Sequence, residues 1–456
     1  MIAKKKSLTK KLLTSSILLA LLPISVMADP KYDELKQQVE MLQKQLAQVQ
    51  VALEQYQQDK KESQQQVEEL KSEVNKSTHL TQEMTQLRKE LSNAAEWRNP
   101  NTLIHMSGYA DIGYASDTDS FNVGTFSPIF HYQYKDLVML EAELEMDVNA
   151  LGETDVGLEY LTVDLFLNDS VAFVAGKFLS PIGQFRQNLH PSWINKQVSA
   201  PPGFGHDGAA PTSEMGFQLR GGFEMAEVFS NYAFYVSNGP ELIATQGHEG
   251  FELEGIIAEG LSTDSDDKKV FGGRLGILPF AGLEIGFSAA TGKATVTRVE
   301  LEDEGGHKAK YAFSNIMGIN NADEPALDLH AEQARDYSVI GMDFAYRYKN
   351  LQLRGEYVKT KIGEATTGET ASEGATWSSW YTQASYLLPQ SKWEPIVRYT
   401  DFTAPSAAVS QEQWALGINY KFTSSVIGKA TYEFNEGLTG LKTDENRWLV
   451  QLAYGF

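Results

Sequence analysis

The chain has no cysteine among its 456 residues, which removes thiolate metal sites, cysteine nucleophiles and disulfides from consideration. Bases are scarce: 39 lysines and arginines meet 60 aspartates and glutamates, for a formal charge of -21. A chain this acidic repels polyanions, so nucleic acid is not an expected partner. Long apolar runs are missing too. Beyond the first 28 residues nothing approaches the roughly 20 apolar residues of a membrane helix. There is no GxSxG, HExxH or P-loop pattern, so neither an enzyme nor a cofactor is expected. His190, His206 and Asp207 lack HxH or HxxxH spacing, and no metal site is expected there.

Residues 1–28 have the three parts of a secretory signal peptide. Lys4, Lys5, Lys6, Lys10 and Lys11 form the basic region, Leu12 to Val26 the apolar region, and Val26-Met27-Ala28 the small-residue cleavage site. Removing five lysines and no acids takes the remaining chain to -26. Residues 31–96 contain no glycine or proline, and their apolar residues step by 4 and 3 through Leu35, Val39, Leu42, Leu46, Val49, Leu53 and Tyr56. The seam lapses at Lys60 and Ser63 and resumes at Val67, Leu70 and Val74. It shifts phase near Ser77 and runs again through Leu80, Met84, Leu87 and Leu91. This is a heptad pattern with one skip, predicting a coiled coil over 29–99 and therefore self-association. The mix of valine and leucine along the seam leaves the strand number open, with a trimer as the guess. As a single helix it would be a rod of about 100 Å.

After Asn99-Pro100 the period changes to 2. Sixteen strands are predicted, near 104–115, 127–134, 138–148, 157–167, 171–179, 214–222, 228–238, 270–278, 282–291, 337–348, 351–361, 377–388, 393–402, 412–422, 425–435 and 446–456. The last is the clearest: Trp448, Val450, Leu452, Tyr454 and Phe456 alternate with Arg447, Leu449, Gln451, Ala453 and Gly455. Connections alternate between short turns, such as Lys135-Asp136 and Lys349-Asn350, and long loops near 180–213, 239–269 and 292–336. That asymmetry characterises outer-membrane barrels. The fold expected is an all-β transmembrane antiparallel β-barrel of about sixteen strands over 100–456, with an N-terminal α-helical coiled coil in the periplasm. Lipid and lipopolysaccharide would be its neighbours, with peptidoglycan a further candidate. The acidic loops 239–269 and 292–336 read as hydrated external loops.

Strand 138–148 alternates apolar residues with Glu141, Glu143, Glu145 and Asp147, which would face the lumen. The same phase elsewhere places Arg220, Arg274, Arg347, Arg354, Arg398 and Lys429 inside, with Arg347 and Arg354 roughly opposite the acids. Opposed charges would orient a polar solute; alternatively they only keep the lumen wet. Loop 180–213, rich in proline and aromatics, is a candidate constriction, or else packs over the rim. Inside, it would bring Arg186, His190, Trp193, Lys196 and His206, with Lys177 just before it, to the narrow point.

The succession of signal peptide, heptad region, sixteen strands, Pro/aromatic loop and terminal Phe456 resembles the siderophore porins typified by the legiobactin receptor. Gly176-Lys177-Phe178-Leu179-Ser180-Pro181-Ile182-Gly183 is also similar to a Gly-Lys/Arg-Phe-x-x-Pro-x-Gly stretch of phosphate-selective porins. The first resemblance implies import of a ferric siderophore without a plug domain; the second, a general or anion-selective porin. An envelope tether anchored by a barrel is the reading of another class. Replacing Glu141, Glu143, Glu145 and Asp147 by amides is expected to shift the reversal potential in planar bilayers toward anions; no shift would take these residues out of the conduction path.

Overall fold

The computed structural model describes residues 102–149, 151–206, 208–247, 250–302, 308–312, 333–366 and 371–456, with Met41 besides. The predicted signal peptide lies outside these residues, as does the coiled coil apart from Met41. The chain divides into two compact units, Met1–Trp97 and Arg98–Phe456, and every described strand belongs to the second.

Its strands are β1 (Thr102–Ala115), β2 (Ser120–Tyr134), β3 (Val138–Val148), β4 (Thr154–Asn168), β5 (Val171–Leu179), β6 (Ser213–Met225), β7 (Val228–Ser237), β8 (Glu241–Gly247), β9 (Gly250–Ile257) and β10 (Val270–Phe280). They continue as β11 (Leu283–Glu302), β12 (Lys308–Ala312), β13 (Arg335–Tyr348), β14 (Leu351–Ile362), β15 (Ala375–Tyr386), β16 (Trp393–Thr403), β17 (Gln411–Lys421), β18 (Val426–Gly437) and β19 (Arg447–Gly455). All but β8, β9 and β12 form one antiparallel barrel of sixteen strands, each matching one of the predicted sixteen. It closes where β1 meets β19, from Tyr109 opposite Gly455 to Ala115 opposite Leu449. Phe456 extends the seam, exchanging both backbone hydrogen bonds with Gly108.

Side-chain alternation sorts the two faces. On β19, Trp448, Val450, Leu452 and Tyr454 are 44% to 55% exposed, while Leu449 and Ala453 between them are buried. Ile104, Met106 and Ile112 on β1 and Leu161, Val163 and Leu165 on β4 continue this apolar outer surface. Such a surface is stable against lipid and unstable in water. Tight turns join strands at one end. At Ala226-Glu227 both residues have positive φ, the hairpin turn whose twist suits the strands it joins.

The segments 239–269 and 292–336, read from sequence as hydrated loops, contain further strands, which corrects that expectation. β11 runs past the end of β10, and β8 takes the vacated place beside it in parallel, Thr295 opposite Glu241. β9 pairs with β8, and β12 with the far end of β11. These strands bury Leu242, Ala244, Leu253, Val296 and Val299. β8, ELIATQG, has no charged/apolar alternation to read, and it is a strand because it fills the edge that β11 leaves free.

Replacing Val450 by arginine should lower the stability of the barrel in bilayers by about 2–4 kcal/mol, measured by denaturant titration of refolding. Val450→Ala, which trims the same side chain without adding charge, is expected to cost much less.

Candidate functional site: a loop across the lumen and the space it leaves

The long connection between β5 and β6, described over residues 180–206 and 208–212, lies inside the barrel. Its neck is tied by the Ser180 amide donating to the Thr212 carbonyl at 3.0 Å and by the Ser180 hydroxyl donating to Glu214 at 3.3 Å. Gly183 has φ +76°, and a Cβ there would sit 2.3 Å from the Glu356 carboxylate. Glycine therefore lets the backbone reach the wall, where the Gln184 amide donates to Glu356 on β14 at 2.9 Å. Two residues later the Arg186 guanidinium pairs with Glu159 on β4 at 2.5 Å. β4 is fourth and β14 eleventh in order around the sixteen, so residues 184–186 join nearly opposite walls.

Beyond a short π-helical turn, Phe185–Leu189, the loop is fastened along one half of the wall. Lys429 donates to the Ser192 carbonyl, and Lys196 pairs with Glu394. Gln197 donates to the Ala415 carbonyl at 3.0 Å and accepts from Thr431 at 2.9 Å. Arg398 donates to the Ser199 carbonyl at 2.9 Å and to Gln413 at 2.9 Å. Ser379 donates to the Pro202 carbonyl and Thr360 to that of Ala209, each at 2.7 Å. Phe185 and Phe204 pack edge-on to Tyr381 in an apolar cluster with Tyr337, Trp377 and Phe402. These inward apolar side chains break the rule that apolar residues face lipid: the surface they meet is the loop.

The other half of the wall is open. A cavity of about 730 Å³ is lined by Glu141, Glu143, Tyr160, His190, Arg220 and Arg274 among others, and reaches the 168–170 turn at the short-turn end. A second, of about 200 Å³, is lined by Glu145, Glu159, Lys177, His206 and Glu259. Along β4 the small one meets residues 157–159 and the large one begins at Tyr160. The two thus lie end to end along β3–β6, and the Arg186–Glu159 pair stands where they adjoin.

The predicted residues fall into three groups. Glu141, Glu143, Glu145, Lys177, His190, His206, Arg220 and Arg274 line the two cavities, and Arg186 stands at their junction. Glu143 accepts from Tyr109 at 2.8 Å and faces His190 at 3.6 Å. His190 Nδ1 donates to the Arg186 carbonyl, which places the ring proton on that nitrogen. Arg220 pairs with Asp164, and Arg274 with Asp343 at 2.6 Å and Glu284 at 3.0 Å. Trp193, Lys196, Arg398 and Lys429 hold the loop rather than line open space; the Trp193 ring lies where a side chain at Gly455 would project. Asp147 and Arg347 are exposed near strand ends, and Arg354 is half-buried on the inner face of β14. The expected acidic wall facing a basic wall across open lumen is not what forms, because the loop stands between them, with Arg186 at Glu159 and His190 at Glu143.

Glu159 and Tyr160 were missed. A β-bulge on β4, opposite the step from Glu143 to Leu144 on β3, leaves Glu159 unpaired, so two consecutive β4 side chains are buried inside. Glu159 meets Arg186, and Tyr160 donates to Glu141 at 3.1 Å. The sequence does carry a sign of it: the outward apolar residues change from even (Val156, Leu158) to odd (Leu161, Val163, Leu165).

Closure, strand number and apolar outer surface define a transmembrane β-barrel of porin size, a class found in outer membranes. No family model and no curated protein matches the chain. Among solved structures it is similar to a loop-deleted OmpT of Vibrio cholerae (11% identity, TM-score 0.49, covering 78% of this chain and 100% of that one). It is similar also to the anion-selective porin of Comamonas acidovorans (13%, TM-score 0.47, 78% and 100%). The channel DcaP of Acinetobacter baumannii is a third (8%, TM-score 0.47, 78% and 98%).

At the smaller cavity His206 donates to Glu259 at 2.8 Å. This hydrogen bond raises the imidazole above its ordinary range and lowers the Glu259 carboxyl. The contact's contribution through His206 is complete below the ordinary imidazole range and is lost as pH rises through the raised value. Through Glu259 it is lost as pH falls through the lowered one. Both side chains are about half exposed, at 53% and 45%, so solvent screens the pair. Glu259→Gln should move the His206 titration downward in ¹⁵N-histidine NMR; an unmoved titration would show that the two do not interact.

Proposed function

We propose that this protein is an outer-membrane channel in which a polar solute passes along the β3–β6 wall and loop 180–212 forms the constriction. The observation that carries it is the end-to-end placement of the two cavities on that wall, meeting at Arg186 and Glu159. Short turns of outer-membrane barrels face the periplasm, so the large chamber opens there and the small one toward the exterior. The solute meets Lys177, His206, Glu145 and Glu259 first, then the Arg186–Glu159 pair, then a chamber where Glu141, Glu143 and Glu284 face Arg220 and Arg274. Interspersed charges of both signs favour a zwitterionic or polar solute over a simple anion.

A chamber of about 730 Å³ lies within the range of pockets that enclose whole small molecules. Together with the resemblance to siderophore porins, this supports a ferric siderophore as the solute, admitted without a plug domain. The heptad region 29–99 would gather copies of the chain in the periplasm, with three as the working number. A general or anion-selective porin is the competing transport reading, and a barrel serving only to anchor the heptad region is the non-transport one.

Deleting 184–207 is expected to enlarge single-channel conductance in planar bilayers, and ferric siderophore is expected to reduce the current of the intact channel. Unchanged conductance on deletion removes the constriction, a siderophore without effect removes the solute assignment, and no conductance at all favours the anchor.

A further inference from the structure

The inner face at the short-turn end holds a pair of histidines beyond the residues that line the two cavities. His105 on β1 and His131 on β2 are direct cross-strand partners, and Glu141 on β3 is the partner of His131 on its other side. All three share the inward phase of Tyr109, Ser127 and Glu143, which are buried inside the barrel. His131 is the next inward position after Ile129, a residue of the chamber wall. The two Nδ1 atoms are 3.5 Å apart, with ring centroids 5.5 Å apart and planes inclined at 41°. The far nitrogen of His131, Nε2, lies 3.5 Å from Glu141, which in turn accepts from Tyr160 at 3.1 Å.

We infer that His105 and His131 form a two-nitrogen site for a divalent transition metal such as Cu²⁺ or Zn²⁺ at the chamber's short-turn mouth. Three physical points lead there. Metal–nitrogen bonds of 2.0–2.1 Å at a tetrahedral angle place two ligand nitrogens about 3.4 Å apart, close to the separation found. A carboxylate beside Nε2 of one ring favours the proton on that nitrogen, which leaves Nδ1 as a lone pair directed at the other ring. This carboxylate–histidine arrangement is the usual outer support of a metal-bound imidazole. Imidazole pairs suit copper, zinc and nickel rather than calcium or magnesium. The described residues contain no cluster of three protein ligands, so water or donor atoms of a solute complete the coordination. The pair escapes a search for sequence motifs because its members are 26 residues apart and only the β1–β2 register joins them.

Copper electron paramagnetic resonance on the detergent-solubilised full chain tests this without reference to transport. One equivalent of Cu²⁺ should show coupling to two imidazole nitrogens, and Zn²⁺ should displace it. His105→Ala and His131→Ala should each remove one coupled nitrogen, and Glu141→Gln should weaken binding about tenfold, with heat-modifiable gel mobility confirming that each barrel has folded. The site is overturned if the wild-type chain shows no nitrogen coupling, so that the rings share only a hydrogen bond. It is equally overturned if the doubly substituted chain gives the wild-type spectrum.

Discussion

A bilayer offers no water to an unpaired amide, so a sheet that crosses it must have no edge. The pairing of β1 with β19 satisfies that demand, and the rest of the barrel follows from it. Closure divides every strand into an outer face that must be apolar and an inner face free to be anything. On β19 the outer face is Trp448 to Tyr454, with Phe456 stacked on Phe126 at 6.1 Å where the seam ends. The inner face carries Gln451, which donates to Asp111 across the same seam at 2.8 Å. Lipid thus dictates one half of the residues and leaves the other half to the interior.

Much of that interior is occupied by the chain itself. The loop after β5 uses the inner faces of β13 to β19 as a floor and its own carbonyls as acceptors for Lys429, Arg398, Ser379 and Thr360. Those cations and hydroxyls keep the backbone of an irregular segment satisfied in a place where unpaired groups would be costly. The same packing leaves the two cavities on the wall that the loop does not cover, against β2 to β7, β10 and β11. Where loop and free wall meet, the ion pair of Arg186 with Glu159 bridges them. Both partners are almost fully covered, so removing either strands a buried charge on the other, a severe change.

The strand pattern was readable because period 2 and turn chemistry are local. Trp448 to Phe456 announced a lipid-facing strand, and all sixteen barrel strands lie where alternation put them. The strands beyond the barrel were not readable, since β8 is a strand only because β11 outruns β10 and leaves an edge to fill. The inward aromatics Tyr337, Trp377 and Phe402 were also hidden, as alternation cannot tell an apolar residue facing lipid from one facing a buried loop. Of the cations proposed to line a pore, Arg398 and Lys429 turned out to be fasteners, a distinction set by what the loop placed against them.

The sequence by itself determined the barrel, its lipid-facing residues, and the position of the unusual loop, because each rests on the order of neighbouring residues. Tertiary structure alone decided which half of the lumen the loop fills, that the loop's Arg186 rather than the basic residues of β13 and β14 meets the acidic wall, at Glu159, and that His105 stands beside His131. Those outcomes depend on register, on a bulge and on contacts between residues far apart in the chain, and no local pattern encodes them.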